Sequence, residues 1–266
     1  MTPRQGIPAT GKPVMASYNG SPNELLASLP AAGFELLRPE LRSVELAFGE
    51  VLVESGGLLT TVYFPHSGII SSIVNLADGE SIEVAMVGRD GVFGASAAMN
   101  GGISPTGAVV EFAGIASAID ARRLQVAIAR SEPLRRLLMQ HQWVDFVQTE
   151  QLAACNASHD IAARICRRLL RMRDLALSDR LPLTQELLAR MLGVRRNSVA
   201  LAAGALRAAG VIRYTRGRIE ILNRDGLIAR CCECYQINKS QSQKLNRDVQ
   251  GLPGPAPALP DQFSPS

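Results

Sequence analysis

Four polar residues in the C-terminal half of the chain carry side-chain groups that can read nucleic acid bases. Arg195, Arg196, Asn197 and Ser198 are consecutive and lie just after Gly193. An arginine can donate two hydrogen bonds to O6 and N7 of guanine, and an asparagine can form a bidentate pair with adenine. A serine hydroxyl and the N–H groups at a helix start suit phosphate oxygens. The stretch therefore predicts the first turn of a DNA-reading helix.

The flanking residues predict a helix-turn-helix around this stretch. Thr184 is a good N-cap for a short helix that ends at Leu192. Gly193 can adopt the positive φ of a tight turn. A second helix then covers residues 195–209, and Gly210 stops it. Two helices joined by a short glycine-containing turn are the motif itself.

A basic hairpin is predicted directly after the second helix. The alternating runs VIRY and RIEI flank Thr215, Arg216 and Gly217, which predicts a wing with a basic tip. The side chains expected to contact DNA are Thr184, Gln185, Arg195, Arg196, Asn197, Ser198, Leu201, Arg207, Arg216 and Arg218.

The charge distribution agrees with a polyanion-binding module at this end of the chain. The formal net charge is +4, but residues 160–230 hold fifteen arginines, no lysine and six acidic residues. The remainder of the chain therefore carries more acidic than basic side chains. Arginine is suited to phosphates and base edges because its guanidinium is a planar bidentate donor.

The elements before this module divide into a β-rich part and a helical part. Short runs such as TTVYF and SIEVAMV recur about every ten residues with turn signals between them, which predicts a β-roll or jelly-roll-like sandwich. Asp120 is expected to cap the first following helix. A longer helix of some 25 residues then carries a broken apolar stripe and is predicted to form a dimer seam. The stripe is Leu134, Leu137, Leu138, Val144, Val147 and Ala154.

The fold class is therefore α+β, with five segments in order. We expect a disordered tail over 1–20, a sensor β-roll over 21–130 and a dimerisation helix over 131–158. A winged helix-turn-helix domain follows over 159–237, and a second disordered tail covers 238–266.

Composition points to a cytoplasmic protein with reduced thiols. Hydrophobic residues make up 47% and charged residues 20%, there is no apolar run long enough for a membrane span, and the N-terminus lacks a signal-peptide core. The five cysteines do not form a secreted disulfide pattern. Cys231, Cys232 and Cys234 lack CxxC spacing, which favours a structural cluster with no metal or cofactor. Zinc binding and a thiol switch remain alternatives.

The order of these parts resembles the Crp/Fnr family of bacterial transcription regulators. The resemblance covers about residues 23–237 and includes NELLASLP, the β-roll, the glycine-rich segment, the long helix and LGVRRNSVALAAGALRAAGVIRYTRGRIEI. It implies a homodimer on a two-fold symmetric site in double-stranded DNA, with half-sites about one helical turn apart. A transcription activator of this type would also contact RNA polymerase.

Two positions of the recognition helix depart from the family pattern. The family commonly reads its half-site with an arginine, a glutamate and a second arginine four residues after the glutamate. Arg196 matches the first arginine, but Asn197 replaces the glutamate and Leu201 replaces the second arginine. Since glutamate accepts from cytosine whereas asparagine prefers adenine, we expect a different half-site.

The glycine-rich segment GRDGVFGASAAMNGGISPTG aligns with the family's cyclic-nucleotide cassette but lacks its charges. Cyclic-nucleotide binders carry Gly-Glu and later Arg-Ser there, whereas this chain has no charged residue from Gly91 to Val110. A buried phosphate without a cation is costly. We therefore expect a degenerate pocket that does not bind cyclic AMP, formed by Gly94, Ala95, Ser96, Thr106 and Gly107.

Two other classes of function are alternatives to a DNA-binding regulator without cyclic AMP control. In the first, the β-roll senses a small, cyclic-nucleotide-like molecule that gates DNA binding. The second is an enzyme, but the sequence offers no Ser-His-Asp set, P-loop or metal-spaced His/Glu pair, and it has three scattered histidines. The sequence therefore predicts a regulator that is not an enzyme.

Overall fold

The computed structural model describes residues 20–77 and 79–251, with side chains described up to residue 243. Two short helices and a 3-10 turn open the chain at Glu24–Ala27 (α1), Ala31–Leu37 (α2) and Arg38–Glu40. Asn23 caps α1 by accepting from the Leu26 N–H at 2.9 Å. Its amide nitrogen donates to the carbonyls of Pro65 and Gly91 at 2.8 and 2.9 Å, which fastens α1 to the strands.

The β-rich part folds into two antiparallel sheets, which confirms the predicted β-roll. One sheet has the order β1-β7-β3 and the other β2-β6-β4-β5. Val62, Phe64 and Ile119 are fully buried in the core that these sheets share with the neighbouring helices. The strands are Arg42–Leu46 (β1), Val51–Val53 (β2), Thr61–Pro65 (β3), Ile69–Asn75 (β4), Ser81–Val87 (β5), Gly107–Phe112 (β6) and Gly114–Asp120 (β7), with Ala95–Met99 (α3) between β5 and β6.

Three capped helices follow the roll at Ala121–Arg130 (α4), Glu132–Ser158 (α5) and Ile161–Ala176 (α6). Asp120 accepts from the N–H groups of Arg122 and Arg123, which confirms the predicted cap of α4. Ser131 caps α5 and Asp160 caps α6 in the same way. Each helix starts where a short polar side chain satisfies an N–H group that the helix itself leaves unpaired.

The predicted winged helix-turn-helix is present after α6. Its central strand β10 pairs with β8 on one side and β9 on the other. The elements are Arg180–Leu181 (β8), Gln185–Leu192 (α7), Arg196–Ala208 (α8), Ile212–Thr215 (β9), Arg218–Ile221 (β10) and Arg224–Ile228 (α9).

The last described helix, Cys234–Gly251 (α10), corrects the prediction of disorder from residue 238. Residues 238–251 are helical, and proline is absent from this stretch until Pro253. Gln148 on α5 donates to Ser242 at 2.9 Å, so the polar segment is held by hydrogen bonds to the long helix. The rest of that predicted tail, 252–266, and residues 1–19 lie outside the described residues.

The apolar stripe predicted on α5 does not form one face. Leu134, Leu137 and Leu138 are buried in the core of the roll. The large apolar side chains exposed on α5 are Met139, Trp143 and Phe146. Of the predicted stripe, Val144 and Val147 are half-buried and Ala154 is exposed. The difference arises because the first two turns of α5 pack against α4 and the roll, a contact that helical spacing alone does not reveal.

A buried ion pair joins α6 to the roll. Arg168 pairs with Glu83 on β5, and the two side chains are 3% and 4% exposed. Ser71 on β4 donates to the same carboxylate at 2.5 Å. Nearby, Arg171 donates to Asp90 at 2.6 Å. Burial alone would raise the pKa of Asp90, but the Arg171 guanidinium outweighs it and holds that pKa below its usual value.

Two glycines at the start of the glycine-rich segment allow helices α5 and α6 to pack closely against the roll. A Cβ on Gly88 would lie 2.9 Å from the Leu175 side chain on α6. A Cβ on Gly91 would lie 2.5 Å from Nε2 of His141 on α5. These distances are too short for a side chain. The start of the glycine-rich segment is therefore a packing surface for two helices.

We predict that Glu83→Ala lowers the free energy of unfolding by about 3–5 kcal/mol, because it leaves the Arg168 charge buried and unpaired. Chemical denaturation measures this loss. The matched control is Glu35→Ala, which removes the partner of exposed Arg38 and should change stability by less than about 0.5 kcal/mol.

The double variant Glu83→Leu, Arg168→Met should recover most of that loss, since apolar side chains can replace a buried ion pair at little cost. A single variant as stable as the wild type would contradict the assigned role of the pair.

Candidate nucleic-acid interface

The first helix of the motif, α7, is fixed at its start by two hydroxyl groups. Thr184 Oγ1 accepts from the Leu187 N–H at 3.0 Å, so the predicted N-cap is present. Tyr214 on β9 accepts from the Gln185 N–H at 2.8 Å. The wing therefore holds the start of α7. Thr184 is exposed and Gln185 half-buried in this arrangement.

The turn between α7 and α8 depends on Gly193. This residue has φ 60°, in the left-handed region that favours glycine. The Val194 N–H then donates to the Ala189 carbonyl at 3.1 Å and closes the turn. A Cβ on Gly193 would lie 3.2 Å from the Ile82 side chain on β5. Local backbone geometry and close packing on the roll thus both favour glycine here.

The second helix, α8, separates a buried face from an exposed one. Val199, Ala203 and Leu206 are buried and pack in the core that α8 shares with α6 and α7. The opposite face carries Leu201, whose side chain is 78% exposed. Asn197 is one turn earlier on the same face. An apolar side chain so exposed on a polar face suits contact with another molecule.

The first turn of α8 presents its polar side chains to solvent. Arg195, Arg196 and Asn197 are exposed, and Ser198 is half-buried. Arg195 is the N-cap and provides no side-chain acceptor for the first N–H groups of the helix. Arg196 contacts Glu186 on α7 at 3.6 Å. Such an exposed pair contributes little, about 0–1 kcal/mol, so the Arg196 guanidinium is free to exchange partners.

The wing carries two of the predicted arginines at its tip. Thr215 on β9 pairs with Arg218 on β10, and Gly217 between them has φ 77°. Arg216 and Arg218 are both exposed. The next arginine along β9, Arg213, pairs with Glu220 at 3.1 Å instead.

Arg207 is separated from the other predicted residues. It is exposed, but it lies eleven residues after Arg196 on the same helix. At 1.5 Å per residue this places it about 16 Å further along the axis. The structure therefore does not bring Arg207 together with the first turn of α8.

The arginines between residues 160 and 230 include a buried group and an exposed group, and Arg171 and Arg173 are half-buried. Arg164, Arg167 and Arg168 on α6 are buried, so these three side chains do not add to the exposed basic surface. The exposed arginines are Arg180, Arg190, Arg195, Arg196, Arg207, Arg213, Arg216, Arg218, Arg224 and Arg230.

The predicted degenerate pocket is closely packed around Gly94. This residue has φ 90°, and a Cβ on it would lie 2.8 Å from the Leu59 side chain. Ala95 and Gly107 are buried, whereas Ser96 and Thr106 are half-buried. All five predicted residues belong to the roll, and none of them carries a cation for a phosphate.

A polar cleft of about 290 Å³ lies elsewhere, between the roll and helices α5, α6 and α10. It is lined by charged groups that include Asp90, His141, Asp145, Arg171 and Lys239, and by none of the predicted pocket residues. Burial would lower the pKa of His141, but the neighbouring Asp145 carboxylate outweighs it and raises that pKa. These opposite charges compensate one another across the interface between the roll and the helices.

A protein-family model matches the part of the chain that holds the helix-turn-helix. Residues 163–230 match the family model described as the Crp-like helix-turn-helix domain. No curated protein matches the chain. None of the helices in ranges 20–77 and 79–251 is long and apolar enough to cross a membrane.

Solved structures share the fold at low sequence identity. A Crp/Fnr-family transcriptional regulator from Eubacterium rectale is 18% identical, with a TM-score of 0.62 over 77% of this chain and 96% of its own. FixK2 from Bradyrhizobium japonicum is 19% identical, with a TM-score of 0.62 over 72% and 98%. The c-di-GMP responsive regulator CLP from Xanthomonas campestris is 17% identical, with a TM-score of 0.60 over 72% and 98%.

Proposed function

We propose that this chain, whose residues 163–230 match the Crp-like helix-turn-helix domain, is a transcription regulator of the Crp/Fnr family that binds a two-fold symmetric DNA site as a homodimer without control by cyclic AMP. Regulators of this kind are not enzymes. The observation that carries the proposal is the exposed first turn of α8, which presents Arg196 and Asn197 to solvent, as the wing presents Arg216 and Arg218.

Base readout is assigned to three side chains of α8. The first turn of the helix enters the major groove, as in other helix-turn-helix proteins. Arg196 donates to guanine and Asn197 pairs with adenine. Leu201, one turn after Asn197 and 78% exposed, contacts the methyl group of thymine. This set favours A·T pairs more than the Arg-Glu-Arg pattern of the family would.

Backbone contacts are assigned to the residues around this helix. Thr184, Gln185, Arg195 and Ser198, with the first N–H groups of α8, hold phosphates next to the groove. Further phosphates fall to Arg207, Arg216 and Arg218, which lie at the end of α8 and on the wing.

We predict that alanine substitution affects DNA binding differently at a base-contacting arginine and at a phosphate-contacting arginine. Arg196→Ala removes a base contact, so discrimination between a promoter fragment and a scrambled one should fall by about 1–3 kcal/mol. Arg216→Ala removes a phosphate contact, so both fragments should weaken alike and the salt slope should drop by about 1. Fluorescence anisotropy over a salt series measures both quantities.

The control for this experiment is Arg122→Ala, an exposed arginine on α4 of the roll, which should leave binding unchanged. Unaltered discrimination in Arg196→Ala would contradict the assigned base contact. Absence of any sequence preference in the wild type would contradict the proposed function.

Dimerisation is assigned to the exposed apolar face of α5. Met139, Trp143 and Phe146 are 60%, 65% and 54% exposed and follow one another at helical spacings of four and three. The rings of Trp143 and Phe146 lie 5.8 Å apart. Such a patch on a long helix fits a second copy of the same helix across a two-fold axis, where large aromatic side chains contribute most to affinity.

We predict that Trp143→Asp converts the dimer to a monomer, raising the dimer dissociation constant about 30-fold or more because a charge replaces an aromatic anchor. Light scattering over a concentration series measures the mass. Phe48→Asp, at an equally exposed apolar residue in the turn before β2, is the matched control and should leave the mass unchanged. A monomeric wild-type protein would overturn the proposed dimer.

Independence from cyclic AMP follows from the packing and charge of the roll. Leu59 lies against Gly94, and the stretch from Gly91 to Val110 holds no charged side chain. A cyclic nucleotide brings a phosphate charge that needs a buried cation or several donors.

We therefore predict that cyclic AMP changes the DNA affinity by less than about twofold even at about 1 mM, where a site of millimolar affinity would be half filled. Anisotropy with and without the nucleotide measures this, and calorimetry in its presence should show no binding heat. Saturable heat together with tighter DNA binding would favour a sensor module gated by the nucleotide.

The proposed regulator has three functional segments. The sensor roll covers 21–130, the dimerisation helix 131–158 and the DNA-binding domain 159–237, and the protein acts in the cytoplasm. Where it activates transcription, it contacts RNA polymerase.

A further inference from the structure

Four side chains with metal-binding atoms meet where α5 ends and α10 begins. Cys155 lies in the last turn of α5 and His159 directly follows that helix. Cys234 is the first residue of α10, and Cys232 lies two residues before it. Their three sulfur atoms and one ring nitrogen all lie within 4.8 Å of one another. The Cys155 and Cys232 sulfurs are 3.6 Å apart, and Nδ1 of His159 is 3.7 Å from the Cys234 sulfur.

We propose that Cys155, His159, Cys232 and Cys234 form a binding site for one tetrahedral metal ion, with zinc as the best fit. Zinc–sulfur bonds of about 2.3 Å at tetrahedral angles place neighbouring sulfurs about 3.8 Å apart, and a sulfur and a nitrogen about 3.6 Å apart. The observed separations of 3.6 and 3.7 Å match this geometry. An iron–sulfur cluster, which holds several irons between its ligands, requires wider spacing.

The groups around the ligands are those that a metal site uses. His159 points Nδ1 at the cluster while its Nε2 lies 3.2 Å from a carboxylate oxygen of Glu233. A carboxylate on the second ring nitrogen orients a metal-bound histidine and raises its basicity. Gln151 donates its side-chain N–H to the Cys234 sulfur at 3.1 Å, a bond that stabilises a thiolate.

The charge of the surroundings also fits a metal-bound cluster. Three thiolates, one neutral histidine and a divalent ion carry a net charge of −1. Arg164 and Arg167 on α6 are buried within electrostatic reach of Cys155. Their Nε atoms have no hydrogen-bond partner among the described residues. The negative cluster would offset one of these two positive charges.

Without a metal the same thiols would remain neutral. A cysteine thiol without a metal or a charged partner is protonated at neutral pH, because its usual pKa is about 8.5. Metal binding therefore has to displace the thiol protons, and affinity rises with pH. The two buried guanidinium groups would otherwise face uncharged sulfur atoms.

The position of the site gives it a structural role. Cys155 and Cys234 are fully buried and Cys232 nearly so, so all four positions around the ion are protein ligands. Residues 159 and 160 form the non-helical joint between α5 and α6. The ion would fasten this joint to α10, and thereby hold the long helix and the DNA-binding elements in one arrangement.

The direct test is the metal content of the full-length protein, purified under reducing conditions without a metal-affinity tag. Mass spectrometry of the elements should find about one zinc per protomer. Cys155→Ser and Cys234→Ser should each lower this content at least about tenfold. Cys166→Ser, at a buried cysteine outside the cluster, and Cys231→Ser, beside it in sequence, are matched controls that should keep the ion.

A second variant keeps the test valid if the serine variants fail to fold. Glu233→Gln preserves all four ligands and should lower zinc affinity about 10–100-fold in competition with a chromophoric chelator. Cobalt-loaded wild type should show the visible bands of tetrahedral thiolate coordination.

Three results would overturn the proposal. The first is reduced protein that holds less than about a tenth of an equivalent of zinc after incubation with zinc. The second is equal metal content in Cys155→Ser and Cys231→Ser. The third is iron with matching sulfide, which would assign a cluster in place of a single ion.

Discussion

The guanidinium of Arg168 is buried in the interior of the molecule, and the carboxylate of Glu83 on β5 neutralises its positive charge. A buried guanidinium cannot be left without a partner, because the low dielectric of the interior makes an unpaired charge far more costly than in water. Helix α6 must therefore dock on β5 in one register. The second pair, Arg171 with Asp90, joins two residues that are 81 positions apart in sequence and fixes the same interface. With α6 held in this way, α8 and the wing face outward.

The division of arginines between two tasks follows from this docking. Those on α6 are buried beside the roll and the cysteine cluster, whereas those on α8 and the wing remain in solvent. The roll itself contributes packing surfaces in place of a charged ligand pocket. Gly88 and Gly91 admit the side chains of Leu175 and His141, and Gly94 admits Leu59. A glycine-rich segment can thus serve close helix packing as readily as it serves a phosphate.

Local signals in the sequence were sufficient to predict several helix starts and the turn between α7 and α8. Thr184 and Asp120 cap the predicted helices and Gly193 makes the predicted turn, since each acts within a few residues of itself. Long-range contacts were not predictable. The burial of Arg164, the split of the α5 stripe and the helix after residue 238 all depend on elements distant in sequence. Cys155 and Cys232 are 77 residues apart. The spacing of four residues from Cys155 to His159 was a local signal for two of the four ligands only.

The central claim is that α8 reads a two-fold symmetric sequence in double-stranded DNA. Selection of bound duplexes from a random pool, followed by sequencing, tests it most directly. The account predicts an enriched inverted repeat whose half-sites are centred about one helical turn apart, roughly 34–36 Å, and differ from the usual family sequence at the positions read by Asn197 and Leu201. A pool that shows no enriched motif at moderate salt, or a single unrepeated half-site, would contradict it.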